Sequence, residues 1–575
     1  MNQANSIRFD PHPKPAPTFC CPPSSFAPPI PDQINTHLVV LLALALAAGS
    51  AAAEPTTSKN ADHLLVSTST NACWWAGVIN HGDRMPLAEG YEADLRGDTY
   101  GNQAQPLLLS SQGDVFWSED AFAFQLLPRG VAVDAKGGRL AQARSGNSLR
   151  DAFLYASRTF FPPSGKMPDK LLFSAPQYNT WIELQYDQNQ ADILKYAKAI
   201  RDNGFPAGVL MIDDNWQQNY GQWEFRKNKF PDAKAMVRTL HAQGFKVMLW
   251  VCPFVHTNCA AYPDLARRSL LLKNASGDVA LVKWWNGKGA LLDFTHPEAV
   301  AWFRSQLDYL QSAYQVDGFK FDGGDSDFYK GTIASRPVCP NTHSELFGKI
   351  GLEYPLNEYR AMWKMGGQPL VERLRDKNHS WDDVRKLVPN MLLAGLMGYP
   401  FCCPDMIGGG EYKSFQPGSK IDQELVVRSA QSHALMPMMQ FSVAPWRVLD
   451  PANLKAVSKA VQLREKHERY ILELARQSAS TGEPMMRSLE YAFPHQGYER
   501  VNDQFLLGDR ILVAPVVEKD ARNRTVMLPP GKWQGFDGKT YAGPAKVTVP
   551  VGFDELCYFE KADKLLQAQA ITPQP

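Results

Sequence analysis

With 575 residues the chain is too long for one ordinary hydrophobic core, and its length argues for two to four domains. Its 60 Lys and Arg stand against 59 Asp and Glu, a formal charge of +1 with both signs interspersed. That balance gives no electrostatic basis for nucleic acid or an anionic membrane surface as a partner.

Residues 1–36 are Pro-rich, lack a hydrophobic period and read as a disordered leader. The apolar run Leu38–Ala48 follows, then Gly49-Ser50-Ala51-Ala52-Ala53, the pattern of a signal-peptide core and its cleavage site. The run starts far from Met1 and no Lys or Arg separates it from Lys14, but it is short for a bilayer span. The expectation is a leader over residues 1–55, export to a periplasmic or extracellular location, and no integral span in the mature chain.

From 56 to 173 short alternating segments such as Cys73-Trp74-Trp75-Ala76-Gly77-Val78 are broken by Gly, Asn, Asp and Pro, which predicts an N-terminal β-sandwich. Between 174 and 477 apolar strands alternate with amphipathic helices. Helices are predicted over Asn189–Asn203, through Val237 and Leu240, and over Pro297–Tyr314, with a strand at Phe245–Val251. This rhythm predicts an α/β fold, a (β/α)8 TIM barrel. A doubly wound open sheet is the weaker alternative, because the Gly-rich first turn it needs is missing. From 478 to 575 the alternation returns to all-β, one C-terminal β domain or a pair.

Two barrel strands end in carboxylates. Ala207-Gly208-Val209-Leu210-Met211-Ile212 runs into Asp213-Asp214-Asn215-Trp216, and Val316 to Phe321 runs into Asp322-Gly323-Gly324. Strand-end carboxylates followed by turn-forming glycines are how a barrel delivers side chains to its catalytic rim. Taken singly, each Asp is as readily a helix cap or an ion-pair member. Together, with Trp beside one of them, they suggest a site that grips polyols and cleaves them. The 14 Trp and 20 Tyr suit sugar faces, although most belong in a core.

Nine cysteines include the adjacent pairs Cys20-Cys21 and Cys402-Cys403, without CxxC spacing, so neither a zinc site nor a disulfide framework is indicated. Gly408-Gly409-Gly410 lacks the Lys-Ser/Thr of a phosphate loop. His343, His379 and His433 are scattered and read as hydrogen-bonded residues rather than ligands. No metal or organic cofactor is expected.

Several motifs occur in a fixed order over roughly residues 70–560. They are Asp213-x-x-Trp216, Lys229-Phe230-Pro231-Asp232, Trp250-Val251-Cys252-Pro253-Phe254, Lys320-Phe321-Asp322, Gly398-Tyr399-Pro400-Phe401 with Pro404-Asp405-Met406-Ile407-Gly408-Gly409, and Gly508-Asp509 through Pro529-Pro530-Gly531-Lys532-Trp533. In this order they resemble glycoside hydrolase family 31, the retaining α-glycosidases. The resemblance implies Asp322 as nucleophile, with Lys320 on the same strand face helping to keep it ionised. It implies Asp213, with Asp214 beside it, as the sugar clasp, Trp216 and Trp250 as pocket walls, and Lys320, Trp381, Asp405 and Gln440 among the substrate-binding groups. For the acid/base the frame set by Trp381, Pro389 and Gly398-Tyr399-Pro400 counts back to Asp376, with Arg375 where the family has Gly. Asp382 and Asp383 are the alternatives, although Ser380-Trp381-Asp382-Asp383 also has the spacing of a capping box. Gln440 and Ser442 stand where many members carry Arg and His, a substitution that resembles a branch of the family in which α-galactoside cleavage is known, and that resemblance leans specificity towards α-galactosides. An α-glucosidase, another family specificity, a transglycosidase or lyase, and a catalytically inactive carbohydrate-binding relative remain the other readings. A carbohydrate substrate is the expected partner, and self-association into a homo-oligomer is left open.

Overall fold

In the computed structural model, which describes residues 71–562 apart from 129, 136 and 137, and the backbone of the strands Thr56–Ser58 and Leu64–Ser67, eight parallel strands form the centre. They are β1 (Gln177–Asn179), β2 (Val209–Ile212), β3 (Lys246–Val251), β4 (Gly318–Phe321), β5 (Leu356–Tyr359), β6 (Glu372–Arg373), β7 (Cys402–Cys403) and β8 (Gln440–Phe441). β1 to β6 each pair with the next strand in sequence, and β8 pairs with β1. A parallel bridge between Met406 and Gln440 joins the two free edges and closes the ring. The leader, its signal-like run, Cys20 and Cys21 lie outside the described residues.

β2, Val-Leu-Met-Ile, is apolar without alternation, as a parallel strand buried on both faces must be, and β4 is also buried at every position although it carries Lys320. Gly318 opens β4 because nothing larger fits. A Cβ there would fall 1.9 Å from the Leu356 carbonyl oxygen, so the approach of β4 to β5 depends on glycine.

Seven helices surround the ring: α1 (Gln190–Asp202), α2 (Ala233–Ala242), α3 (Pro297–Tyr314), α4 (Pro340–Ile350), α5 (Trp381–Leu396), α6 (Gln423–Ala434) and α7 (Pro451–Thr481). Local chemistry sets their starts. Asn189, Asp232, Ser380 and Asp450 each accept a first-turn backbone N–H, and α3 and α7 open with Pro, whose missing N–H is no loss there. Asp232, part of the Lys229–Asp232 motif, is therefore the cap of α2.

Among the described residues no helix lies between β5 and β6. The segment Met362–Trp363 leaves the barrel and pairs with Gln103–Ser110 of the N-terminal region. That region comprises a sheet built on Trp74–Val78, Gln103–Ser110, Asp114–Ser118 and Leu140–Arg144, and a second sheet of Leu64–Ser67, Gly130–Asp134, Ala123–Leu127 and Glu92–Asp94. One apolar core runs from these strands through the barrel. At the carboxyl end, residues 486–561 form one six-stranded antiparallel sheet with its own core around Leu506, Leu512, Trp533 and Phe559. No helix among the described residues is long and apolar enough to cross a membrane, and the seven described cysteines are all free.

Candidate active site

β4 delivers Asp322 to the carboxyl-terminal rim. Its backbone N–H still donates to Val251 of β3 at 2.9 Å, and Gly323, at a φ of +70°, then turns the chain away. The carboxylate is buried and receives three donors. Arg360 Nε (2.7 Å) and the Gly323 N–H (2.9 Å) reach Oδ1, and Trp250 Nε1 (2.9 Å) reaches Oδ2. Burial alone would push this carboxyl up. The charges of Arg360, then Lys320 and Arg373, outweigh it and hold Asp322 well below the usual carboxylate range.

Sheet register places Trp250, Lys320 and Glu358 side by side on β3, β4 and β5. Lys320, two residues before Asp322 and so on the same face, bonds Asp213 Oδ2 at 2.7 Å. Burial works against its charge, but Asp213, Asp322 and Glu358 keep it protonated. The Asp213 carboxylate is thus tied to the strand that carries Asp322.

Asp214, next along, is gripped by two hairpin tips. Tyr220, between Gln217–Asn219 and Gln222–Phe225, donates its hydroxyl to the carboxylate at 3.0 Å. Asn286, between Leu281–Trp284 and Gly287–Leu291, donates its amide at 2.8 Å. Burial first, then the charge of Asp213, pushes the Asp214 carboxyl up to about 7, against the pull of these donors and Gln217. Asp214 therefore changes charge near neutrality.

On the other side Arg373, from β6, gathers carboxylates. Its Nη1 donates to Asp376 Oδ1 at 2.7 Å and to Asp405 Oδ1, while its Nε lies 3.5 Å from Glu358. Asp405 is buried, sits at a φ of +78° and also accepts the Lys377 N–H at 2.7 Å. The Asp376 side chain is 48% exposed. Arg375 needs no left-handed backbone, so replacing the family's Gly imposes no strain there. Arg373 is one of the charges that depress Asp322, and it therefore links the two carboxylates electrostatically.

The three acid/base candidates occupy different surroundings. Asp382 is solvent-facing and pairs with Arg385. Asp383 accepts from the Asn378 backbone and side-chain amides, at 2.6 and 2.8 Å, while its own N–H bonds Ser380 Oγ. The capping box is therefore half formed, with the carboxylate reaching past Ser380 to Asn378. Trp381 turns its indole N–H to Asp422 at 3.1 Å. Of the three carboxylates, Asp376 is the one joined to the Asp322 cluster.

Two expected pocket groups are placed elsewhere. Trp216 is fully buried: Asn215, at a φ of +76°, turns the chain so that the indole packs on Trp223 and Phe225 and donates to the Trp250 carbonyl at 2.8 Å. It supports Trp250 from beneath and walls no pocket. Gln440 is also fully buried, its amide given to Glu358 (2.7 Å) and Gln177 (3.1 Å), and Ser442 accepts the Ile182 N–H at 2.8 Å. These two side chains knit the barrel interior instead of facing a sugar.

Arg360, Arg373, Tyr220 and Asn286 were not singled out from the sequence. The alternation Glu358-x-Arg360 at a strand end is the signal for Arg360, and Asn286-Gly287 is a hairpin-turn signal. Both arginines are fixed from outside the barrel. Asn102 Nδ2 donates to the Arg360 and Arg373 carbonyls at 2.8 and 3.0 Å, and Gln103 Nε2 reaches Arg360 at 2.9 Å. Among the described residues no cluster of His, Cys, Asp and Glu is arranged to hold a metal ion.

A parallel (β/α) barrel with an ionised carboxylate at the carboxyl-terminal rim, facing a second cluster of carboxylates, has its chemistry where barrel enzymes carry it. Two family models match this chain, the glycosyl hydrolases family 31 TIM-barrel domain over residues 166–374 and the family's C-terminal domain over 482–566. The chain belongs to glycoside hydrolase family 31. It is 35% identical over 429 residues to the myogenesis-regulating glycosidase of Mus musculus, covering 72% of this chain and 60% of that protein. It is 23% identical to alpha-glucosidase 2 of Bacillus thermoamyloliquefaciens, covering 61% of this chain and 47% of that one. The chain thus spans between about half and three-fifths of the length of these relatives. A solved structure of a GH31 dextranase from Flavobacterium johnsoniae, complexed with glucose, superposes with a TM-score of 0.77 at 20% identity, over 88% of this chain and 68% of that one, and shares the fold.

Proposed function

We propose that this protein is a retaining α-glycosidase that hydrolyses terminal α-linked hexoses, with α-galactosides preferred. The observation that carries this reading is Asp322, a buried carboxylate at a strand end, kept ionised by Arg360, Lys320 and Arg373 and oriented by the Trp250 indole. An ionised, fixed carboxylate is what attack on an anomeric carbon requires. In the first step an Asp322 oxygen bonds to that carbon while the glycosidic bond breaks, and the departing oxygen takes the proton of Asp376. In the second, water loses a proton to Asp376 and attacks the same carbon, releasing Asp322 and a sugar of unchanged configuration. Retaining enzymes hold the two carboxyls about 5–5.5 Å apart. Asp213, Asp214 and Lys320 supply the polar groups for the sugar's hydroxyls.

The galactoside preference rests on the family resemblance and on the loss of Arg and His at positions 440 and 442. Because Gln440 and Ser442 are spent inside the barrel, hydroxyl recognition falls to the neutral-or-charged Asp214 and its donors. The signal-like run Leu38–Ala48 supports action outside the cytoplasm. Comparing kcat/KM on nitrophenyl α-galactoside and α-glucoside tests the specificity. A clear glucoside preference refutes it without touching the mechanism, which anomeric proton NMR of the first-formed product tests separately.

A further inference from the structure

Asp214 is held by two hairpin tips, and the half-buried His256 sits where both tips meet the barrel. It follows the short strand Phe254–Val255, which pairs with Gly287–Leu291 so that Val255 opposes Ala290 and His256 comes beside Gly289. That fit depends on glycine, because a Cβ on Gly289 would lie 3.3 Å from His256 Cδ2. The other tip is as close. A Cβ on Gly221, the residue after Tyr220, would lie 2.8 Å from Val255 Cγ1, and Gly221 holds a φ of +87°.

His256 grips each tip by its backbone. Its own N–H donates to the Tyr220 carbonyl at 3.1 Å, and its ring packs edge-on against the Tyr220 ring, with centroids 4.6 Å apart and planes at 60°. On the other side the Asn286 backbone hydrogen-bonds the imidazole and favours its protonated form, as a carbonyl acceptor does. Nε2 is buried without a partner among the described residues, which leaves Nδ1 as the nitrogen that donates. Burial outweighs this bond and pushes the imidazole below its ordinary value, so at neutral pH the ring is an uncharged donor. The tips then meet again over the carboxylate. Asn286 Nδ2 donates to the Tyr220 hydroxyl at 2.7 Å and to Asp214 Oδ2 at 2.8 Å, while the hydroxyl donates to Asp214 Oδ1 at 3.0 Å. A phenyl ring would fill the same space; what histidine adds is the N–H for Asn286.

We propose that His256 is a positioning residue for Asp214, a clamp that holds the Tyr220 and Asn286 tips in register so that their donors stay aimed at the carboxylate. Its bearing on catalysis rests on the α-glycosidase reading, in which Asp214 meets the sugar; the clamp itself does not. Loosening it weakens donors that favour the ionised carboxyl, so Asp214 ionises at higher pH. The charges around Asp214 are those of Asp213 and of Lys320 bonded to it. Tyr186, Tyr220 and Cys252, the other titratable groups that face it, are pushed up by burial and stay neutral. His256 itself faces Tyr220, Trp284 and Asn286, none of them charged.

The test compares wild type with His256→Phe, which keeps a ring and loses the donor, and His256→Asn, which keeps an N–H near the place of Nδ1. In each background the melting temperature is followed from pH 4 to 9 beside the same protein carrying Asp214→Asn, and the difference between the two curves reads the Asp214 ionisation without substrate. In the wild-type background that difference levels off at about pH 7. His256→Phe is expected to move the levelling point up by about one pH unit, and His256→Asn to bring it back at least halfway. On an aryl α-glycoside the Phe variant is expected to raise KM about fivefold with kcat within about twofold of wild type. An unmoved levelling point in the Phe variant, equal shifts in the Phe and Asn variants, or a loss confined to kcat overturns the proposal. Should either variant fail to fold, Gly289→Ala, which crowds the imidazole without removing it, takes its place; the same upward shift supports the clamp, and an unmoved point overturns it. If the wild type cleaves no glycoside, the functional reading fails on its own and the melting curves still decide the clamp.

Discussion

Arg360→Met removes the guanidinium on which the proposed nucleophile most depends. The variant strips Asp322 Oδ1 of its 2.7 Å donor and Asp325 of both of its Arg360 contacts, leaving two buried carboxylates short of a partner. Breaking a buried ion pair from one side costs about 3–5 kcal/mol. The pH dependence has a definite sign. Asp322 is held below its unfolded value of about 3.9, so its contribution to stability is present above that pH and is lost as pH falls. Without Arg360, burial faces only the weaker opposition of Lys320 and Arg373, and the carboxyl rises. If about 3 kcal/mol of the loss acts on ionisation, the acidic limb of kcat/KM moves up by about two pH units, since one unit is about 1.4 kcal/mol. The assay is kcat/KM on an activated aryl glycoside from pH 2 to 8, in short incubations at the acid end, with thermal melts over the same range. Arg360→Lys keeps the charge but not the planar fork and is expected to fall between wild type and the Met variant. An Arg360→Met protein with wild-type stability and an unmoved acidic limb refutes the reasoning.

Asp376→Ala is expected to abolish cleavage of disaccharides while sparing activated aryl glycosides, with azide rescuing its second step, because a good leaving group departs without a proton. Should Asp382→Ala or Asp383→Ala show that dependence instead, the roles exchange; from Asp383→Ala we expect a stability loss of about 1 kcal/mol, for the lost bonds to Asn378 at the start of α5. Asp214, with its carboxyl raised to about 7, contributes stability below the unfolded value of about 3.9 that is lost as pH rises through 7, at most about 4 kcal/mol. Asp214→Asn lacks that loss, so its melting temperature relative to wild type is expected to climb between pH 4 and 8, and parallel curves would contradict the raised value.

What the sequence revealed follows from how far each signal reaches along the chain. β2 and β4 are buried four-residue strands that run straight into carboxylates, and Asp213 and Asp322 were legible as the side chains that follow them. β6, β7 and β8 are two residues long, too short to set a pattern, and they carry Arg373 and Gln440. Arg360 and Arg373 flank the one crossover that replaces its helix with a strand in the N-terminal sheet, so the alternation that located the other elements gave no frame there. Trp216 is close to Asp213 in sequence, but a single left-handed residue, Asn215, reverses its direction and buries the indole, which no local pattern announces. Gln440 and Ser442 are turned inward by Glu358 and Ile182, partners that lie 82 and 260 residues away in the chain.

The most direct test of the central claim is to trap the intermediate. Wild-type protein is incubated with 5-fluoro-glycosyl fluorides of galactose and glucose, which slow release of the glycosyl-enzyme, then digested and mapped by mass spectrometry. The account predicts one hexosyl adduct, on the peptide containing Asp322, absent from Asp322→Asn. An adduct on another carboxylate, or active turnover with no adduct and a β-configured first product, would contradict it.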